Sequence, residues 1–240
     1  MEKQVVHFSD LGKIDYKSAW DYQEEILSKN VAFKTEARIK GADANPFLIP
    51  TTHHLLFCEH PPVYTLGKSG NIENVLLSNE EMNNQGIEFF RTNRGGDITF
   101  HGPQQIVGYP ILDLEKIKTD IGIYLRNIEE VIIISLAEFD IIAGRSNGET
   151  GVWIDADIPG QERKICAIGV RCSRWITMHG FALNVNTDLD YFSNIIPCGI
   201  QNKQVTSIKR ELNKEVSYPE VKEKLKKNFE IVFDVDLIQE

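Results

Sequence analysis

One helix-period apolar stripe set between two strand-rich blocks limits what this 240-residue chain can fold into more than any other feature. Ile121, Leu125, Ile128, Ile132, Leu136 and Phe139 recur at three- and four-residue steps, the spacing of a helix with one buried face. Thr119 or Asp120 stands where a side-chain oxygen caps its first turn. Before the stripe, apolar runs alternate with turns: Ile87 to Arg91, Gly95-Gly96, Asp97 to His101 and Ile106 to Leu114. After it come three more strand-like runs, Gly151 to Ile154, Lys164 to Cys172 and Trp175 to Val185. Pro103 and Pro110 lack the N–H a central ladder needs, so they predict strands away from the centre of a sheet.

The flanks follow the same logic. Ala19, Trp20, Gln23, Ile26 and Leu27 predict a surface helix over 16–29. Lys40 to Thr52, with Gly41, Asp43, Asn45, Pro46 and Pro50, reads as an extended loop, and His54 to Cys58 as a strand stopped by Pro61-Pro62. Val221, Leu225 and Phe229 predict a late helix, and Ile231 to Leu237 a final strand. Helices and strands alternate without a regular βαβ rhythm and no linker divides the chain. The expected fold class is therefore α/β (α+β): a single domain over 1–240 with a mixed β-sheet packed by helices.

Several function classes are excluded. The densest apolar segment, Val131 to Ala137, lies between Glu130 and Glu138, far short of a membrane span. The first ten residues lack the basic end and apolar stretch of a secretory signal. Cys58, Cys166, Cys172 and Cys198 form no C-x-x-C pair, the usage of a chain with reduced thiols, so a cytoplasmic location is expected. A net charge of −9 argues against a nucleic-acid partner. No pair of histidines or cysteines has zinc-ligand spacing, so no metal is expected. Gly67-Lys68-Ser69 imitates the end of a phosphate-binding loop, but Pro62 occupies the place of its first glycine.

The chemistry gathers in a few segments. Cys58 and Cys166 sit in apolar runs and read as core, and Cys172 as a bystander. Cys198, between Pro197 and Gly199, fits either a buried turn or a thiol that a substrate can approach. A free thiol is only about a few per cent ionised at pH 7, so a nucleophilic cysteine needs a nearby cation or base. The candidates are His101, His179, and the cations of 161–171, among them Lys164, which opens an apolar strand. Lys164 is either a solvated strand end or an ammonium partly desolvated beside a thiolate. In Arg94-Gly95-Gly96-Asp97-Ile98-Thr99-Phe100-His101 the paired glycines suit either close backbone approach to an oxyanion or an ordinary hairpin turn.

Taken in order, Glu59-His-Pro-Pro-Val-Tyr-Thr-Leu-Gly, Arg94-Gly-Gly-Asp-Ile-Thr-Phe-His-Gly-Pro, Lys164-Ile-Cys-Ala-Ile-Gly, Thr177-Met-His-Gly-Phe-Ala-Leu-Asn-Val-Asn and Phe192-Ser-Asn-Ile-Ile-Pro-Cys-Gly resemble the lipoyl(octanoyl) transferase family. Each motif alone is weak; the ordered set, spanning about 53–210, is specific. The resemblance implies a fold shared with lipoate- and biotin-protein ligase catalytic domains. It implies Cys198 as the acyl-accepting nucleophile, Lys164 as the group that lowers its pKa, and no cofactor. Substrate-binding positions carried over are Arg94, Gly95, Gly96, Asp97, Ile98, Thr99, Phe100 and His101, then Ala167, Ile168 and Gly169, then Gly180, Phe181 and Ala182. The implied partners are octanoyl-acyl carrier protein as donor, with lipoyl domains of 2-oxoacid dehydrogenase complexes and the glycine cleavage H protein as acceptors. Backbone N–H groups near Gly199 or Gly95-Gly96 are candidates for an oxyanion hole.

Two departures from the family pattern stand out: the loop before His53 is longer, and Gln104 replaces a glycine. Gln104 is strained if the position requires a positive φ, or alters the wall of the site if the glycine served close approach. No Asp or Glu lies between Arg163 and Thr187, so Arg163, Lys164, Arg171 and Arg174 predict a local positive face despite the net charge. The runner-up is an ATP-dependent lipoate- or biotin-protein ligase, which needs no cysteine. A non-catalytic acyl-carrier-binding protein and a Cys-His hydrolase using His179 are further rivals.

Overall fold

A computed structural model describes residues 3–42, 44–196 and 204–240; Cys198 lies outside them. The strands are β1 (Gln4–Lys13), β2 (His53–Glu59), β3 (Val63–Leu66), β4 (Glu88–Arg91), β5 (Ile98–His101), β6 (Gln105–Ile111), β7 (Val152–Ile154), β8 (Arg163–Ser173), β9 (Ile176–Asn184), β10 (Gln204–Val205) and β11 (Val235–Gln239). The helices are α1 (Tyr16–Ile39), α2 (Asn79–Asn84), α3 (Ile121–Ala137), α4 (Ile208–Leu212) and α5 (Tyr218–Phe233). Among the described residues, an eight-stranded mixed sheet runs β10-β8-β9-β6-β2-β1-β11, with β7 paired to β8. A three-stranded sheet, β4-β3-β5, stands beside it.

Helices cover both faces of the large sheet, so its central strands β6 and β9 are buried along their whole length. Successive side chains of β2 divide between the layers: Leu55 and Phe57 join the α3 and α5 face, Leu56 and Cys58 the α1 face. The stripe behind Asp120 forms α3 as expected, and Asp120 caps it by accepting the Ile123 N–H at 3.0 Å. Cys58 and Cys166 are both fully buried core residues.

Several expectations were wrong. Pro110 lies in β6, in the middle of the sheet. The β6–β9 ladder registers from Gln105↔Asn184 to Gly108↔Phe181 and stops, so the missing N–H breaks no bond on that side. The Pro110 carbonyl is met instead by Thr177 Oγ1 at 2.9 Å and the Tyr124 hydroxyl at 3.1 Å. Helix α1 continues past 29 to Ile39, an extension the sequence hid because its later buried positions, Asn30 and Lys34, are polar and carry no apolar period. Asn30 exchanges two hydrogen bonds with Thr52, and Lys34 meets Asp113 at 2.6 Å. At the other end, Phe233 stacks on Phe229 with ring centres 4.4 Å apart and prolongs α5. Asp234, at φ 51°, then ends it, so the final strand begins only at Val235. Strands β1 and β3 were not anticipated.

Candidate active site

A cavity of about 340 Å³ opens between β8 and β9 of the large sheet, β5 of the small one and the first turn of α1. That volume falls in the range of roughly 300–1,000 Å³ typical of small-ligand clefts. Lys164 lines it, as do all of Ala167 to Gly169, all of Gly180 to Ala182, and Arg94, Gly96, Asp97, Ile98, Thr99 and His101. Two of the expected residues stand elsewhere. Phe100 points away into the small sheet's core, stacked on Tyr191 at 4.6 Å. Gly95 gives its N–H to Val170 O at 2.9 Å, which removes it as an oxyanion donor. Sequence reasoning also missed Tyr16, Glu149 and Thr150 in the lining, because they come from segments remote in the chain.

The 94–97 segment is locked against the turn at 67–69. Gly67, Lys68 and Ser69 donate their N–H groups to Asp97 O, Arg94 O and Gly96 O, so the phosphate-loop lookalike has spent its donors. A Cβ on Gly67 would lie 2.2 Å from Gly96 O, which is why glycine stands there. The buried Arg94 guanidinium binds Thr65 O at 2.6 Å, Gly95 O at 2.9 Å and Asp97 O at 2.9 Å.

A chain of hydrogen bonds fixes His101. Gln105 Nε2 donates to Phe100 O and Asn184 Oδ1, which turns Gln105 Oε1 toward His101 Nδ1 at 3.0 Å. Arg94 donates to Thr65 Oγ1, leaving that hydroxyl to donate to His101 Nε2 at 3.2 Å. Both ring nitrogens are thereby satisfied, and burial, with His60 and Arg94 adding to it, holds the imidazole well below its usual pKa. His101 is consequently no cation for a thiolate. His60 is similar: Nδ1–H donates to Ile14 O at 2.8 Å and Nε2 accepts from the Tyr109 hydroxyl at 2.8 Å. Burial, with Arg94 and Arg171 nearby, pushes His179 down to about 3, too low for the general base a Cys-His hydrolase needs at neutral pH.

Lys164 keeps a side chain that is 15% exposed. Its Nζ lies 4.5 Å from the centre of the Trp153 ring and 4.0 Å from Glu149 Oε2. Glu129, buried on α3, holds that neighbourhood in place: it accepts the Gly151 N–H at 3.1 Å and pairs with Arg126 and Arg145. Gly151 has φ 125°, and a Cβ there would come 2.8 Å from Cys166 O. Gln104 does adopt a positive φ, 61°. Three donors compensate at its carbonyl, Val185 N, Asn186 N and Thr187 Oγ1.

The positive face read from 163–187 is largely neutralised by acids from other segments. Arg163 pairs with Asp155 at 2.8 Å and Glu211 at 3.0 Å, and Arg171 with Glu24 at 2.7 Å. No helix among the described residues is long and apolar enough to cross a membrane. Among the same residues no group of three His, Cys, Asp or Glu side chains could hold a metal ion.

The sequence matches the lipoyl protein ligase A/B catalytic domain family over residues 15–230. An octanoyltransferase of Christiangramia forsetii is 55% identical, with 99% of each chain covered. An octanoyltransferase of Flavobacterium johnsoniae is 54% identical over 99% of this chain and 100% of that one. Among solved structures, the bipartite lipoate protein ligase of Thermoplasma acidophilum superposes with a TM-score of 0.69 at 17% identity, covering 100% of this chain and 87% of the other. A lipoate-protein ligase A bound with ATP gives 0.67 at 17% identity, covering 100% and 89%. At such identity the likeness is one of fold, and it agrees with the mixed-sheet α/β architecture expected from the sequence.

Proposed function

This chain belongs to the octanoyltransferase family, enzymes of lipoate biosynthesis, and from that premise we propose that it moves an octanoyl group from octanoyl-acyl carrier protein to a lipoyl-domain lysine through a thioester on Cys198. The observation that carries this reading is Lys164 on the wall of a cavity that Ile98, Val107, Ala167 to Gly169 and Gly180 to Ala182 also line, an apolar stretch suited to an acyl chain. Acceptors of this class are the lipoyl domains of 2-oxoacid dehydrogenase complexes and the glycine cleavage H protein, and one catalytic domain over 1–240 serves both half-reactions.

In the first half-reaction the Cys198 thiolate attacks the donor carbonyl. A C–S bond forms, the carrier's C–S bond breaks, and its thiolate takes a proton from the Lys164 ammonium. In the second, the acceptor's neutral amine forms the N–C bond. Cys198 leaves with the electron pair, and Lys164 takes up the proton that the acceptor nitrogen loses. Proton and electron counts close over the cycle, and ping-pong kinetics follow. Arg94, by gripping three backbone carbonyls, and His101, fixed at both nitrogens, shape the wall against which the acyl chain lies.

Intact-protein mass after mixing with octanoyl-acyl carrier protein, without acceptor, tests this reading. Wild type gains one octanoyl group that a lipoyl domain then discharges, and Cys198→Ala gains none. Lys164→Ala acquires it at least about a hundredfold more slowly, the scale of losing a positioned acid–base group. Absence of the adduct in wild type, with transfer appearing only when ATP and free octanoate are supplied, would replace the transferase by a ligase.

A further inference from the structure

His179 departs from ordinary strand geometry at the cavity wall. Its φ is 57° inside β9, a left-handed conformation that is unfavourable for a non-glycine residue and persists only where the surroundings impose it. Gln23 on α1 contributes by accepting the His179 backbone N–H at 3.0 Å. The residue is 2% exposed.

The bonds around the ring fix its tautomer. Asn93 Nδ2 donates to Glu24 Oε1 at 3.0 Å, which presents Asn93 Oδ1 to His179 Nε2 at 2.7 Å. Nε2 therefore carries the proton and Nδ1 a lone pair. Nδ1 is buried and has no hydrogen-bond partner. Leaving a buried acceptor unmet is costly, and this one belongs to a residue that lines the cavity.

We propose that His179 Nδ1 is a substrate-binding acceptor, taking a hydrogen bond from an N–H of the bound substrate. The inference rests on the transferase reading, in which two such groups enter the cavity: an amide of the arm that bears the donor thioester, and the amine of the acceptor lysine. A ring whose pKa is held so low accepts the hydrogen bond without taking the proton. It orients the donor and leaves proton transfer to Lys164.

Two substitutions separate this role from a structural one. An asparagine amide oxygen can stand where Nδ1 stands, and a glutamine amide reaches where Nε2 stands. His179→Asn keeps the cavity acceptor and loses the tie to Asn93; His179→Gln does the reverse. Octanoyl transfer to a lipoyl domain should fall about 10–100-fold in kcat/KM for His179→Gln and distinctly less for His179→Asn. Because asparagine also tolerates φ 57° better than glutamine, the comparison is made at a temperature where urea midpoints show both variants fully folded. Equal losses, or the opposite order, overturn the assignment. A deficit in acylation by octanoyl-acyl carrier protein identifies the arm's amide as the donor, and a deficit in discharge identifies the lysine. In the unsubstituted protein, the nitrogen-15 resonance of His179 Nδ1 should move from its lone-pair position when the donating substrate binds. A resonance unmoved by either substrate overturns the assignment without any variant. Octanoyl transfer with no adduct ever present would instead strike the thioester reading, while the order of the two variants still decides His179.

Discussion

Gly180 on β9 packs closely on β6, and a Cβ added there would lie 2.1 Å from Gly108 O and 2.6 Å from Pro110 Cδ. Both neighbours belong to a central strand and neither can swing aside as a flexible side chain would. Gly180→Ala should therefore cost about 1–3 kcal/mol, the range for overpacking, and also narrow the cavity that Gly180 lines. A urea midpoint unchanged from wild type would show that the strands yield more easily than this geometry implies. The adjacent His179 and Gln104, both at positive φ, show the same economy at single residues: unfavourable backbone held by surrounding donors and acceptors. The Gln104 strain was legible in the sequence, because a glycine was missing from a motif. The strain at His179 was not, since nothing local marks a histidine for left-handed geometry.

The second half of α1 is secured to the sheet by charge more than by apolar packing. Lys34 Nζ meets the fully buried Asp113 carboxylate at 2.6 Å and Glu115 at 2.7 Å, while Thr51 Oγ1 donates to Asp113 at 2.8 Å. Removing one partner of a buried pair strands the other, so Lys34→Met alone should cost about 3–5 kcal/mol. Replacing both partners, as Lys34→Met with Asp113→Asn, should recover most of that loss, because no buried charge is left unmatched. Equilibrium unfolding of the two single variants and the double variant measures the coupling. A double variant as weak as the sum of the singles would mean that the pair acts independently. The same contact explains why the helix was read too short: a buried lysine interrupts the apolar period that reveals an amphipathic helix.

Over the whole molecule, buried neutral histidines couple stability to pH. His53 is held down to about 4, first by burial and then by Lys116, and its Nδ1 accepts the Asp113 N–H at 3.1 Å. His179 is held to about 3. In the unfolded chain both return to about 6.5. Between those values the unfolded chain binds more protons than the folded one. Their stabilisation is therefore complete above about pH 6.5 and lost as pH falls toward 4 and 3, by up to about 1.4 kcal/mol per pH unit for each. Urea midpoints should decline from pH 7 to 5, before most carboxylates titrate, and His53→Gln should flatten the slope. A flat wild-type profile across that interval would refute the linkage.

The sequence by itself determined the ordered motifs, the existence and type of most elements, and nearly every residue of 94–101, 167–169 and 180–182 that lines the cavity. The elements follow from short windows, such as an apolar period or a capping aspartate, and the lining residues from the family resemblance that the ordered motifs carry. Only the tertiary structure decided which acids face which bases. No Asp or Glu lies within 163–187, yet Asp155, Glu211 and Glu24 neutralise Arg163 and Arg171 from outside that stretch. It likewise placed Pro110 in a central strand, by ending one ladder at Gly108, and brought Tyr16 and Glu149 to the cavity. Pairing across the sheet depends on register and on segments distant in the chain, and no local pattern records it.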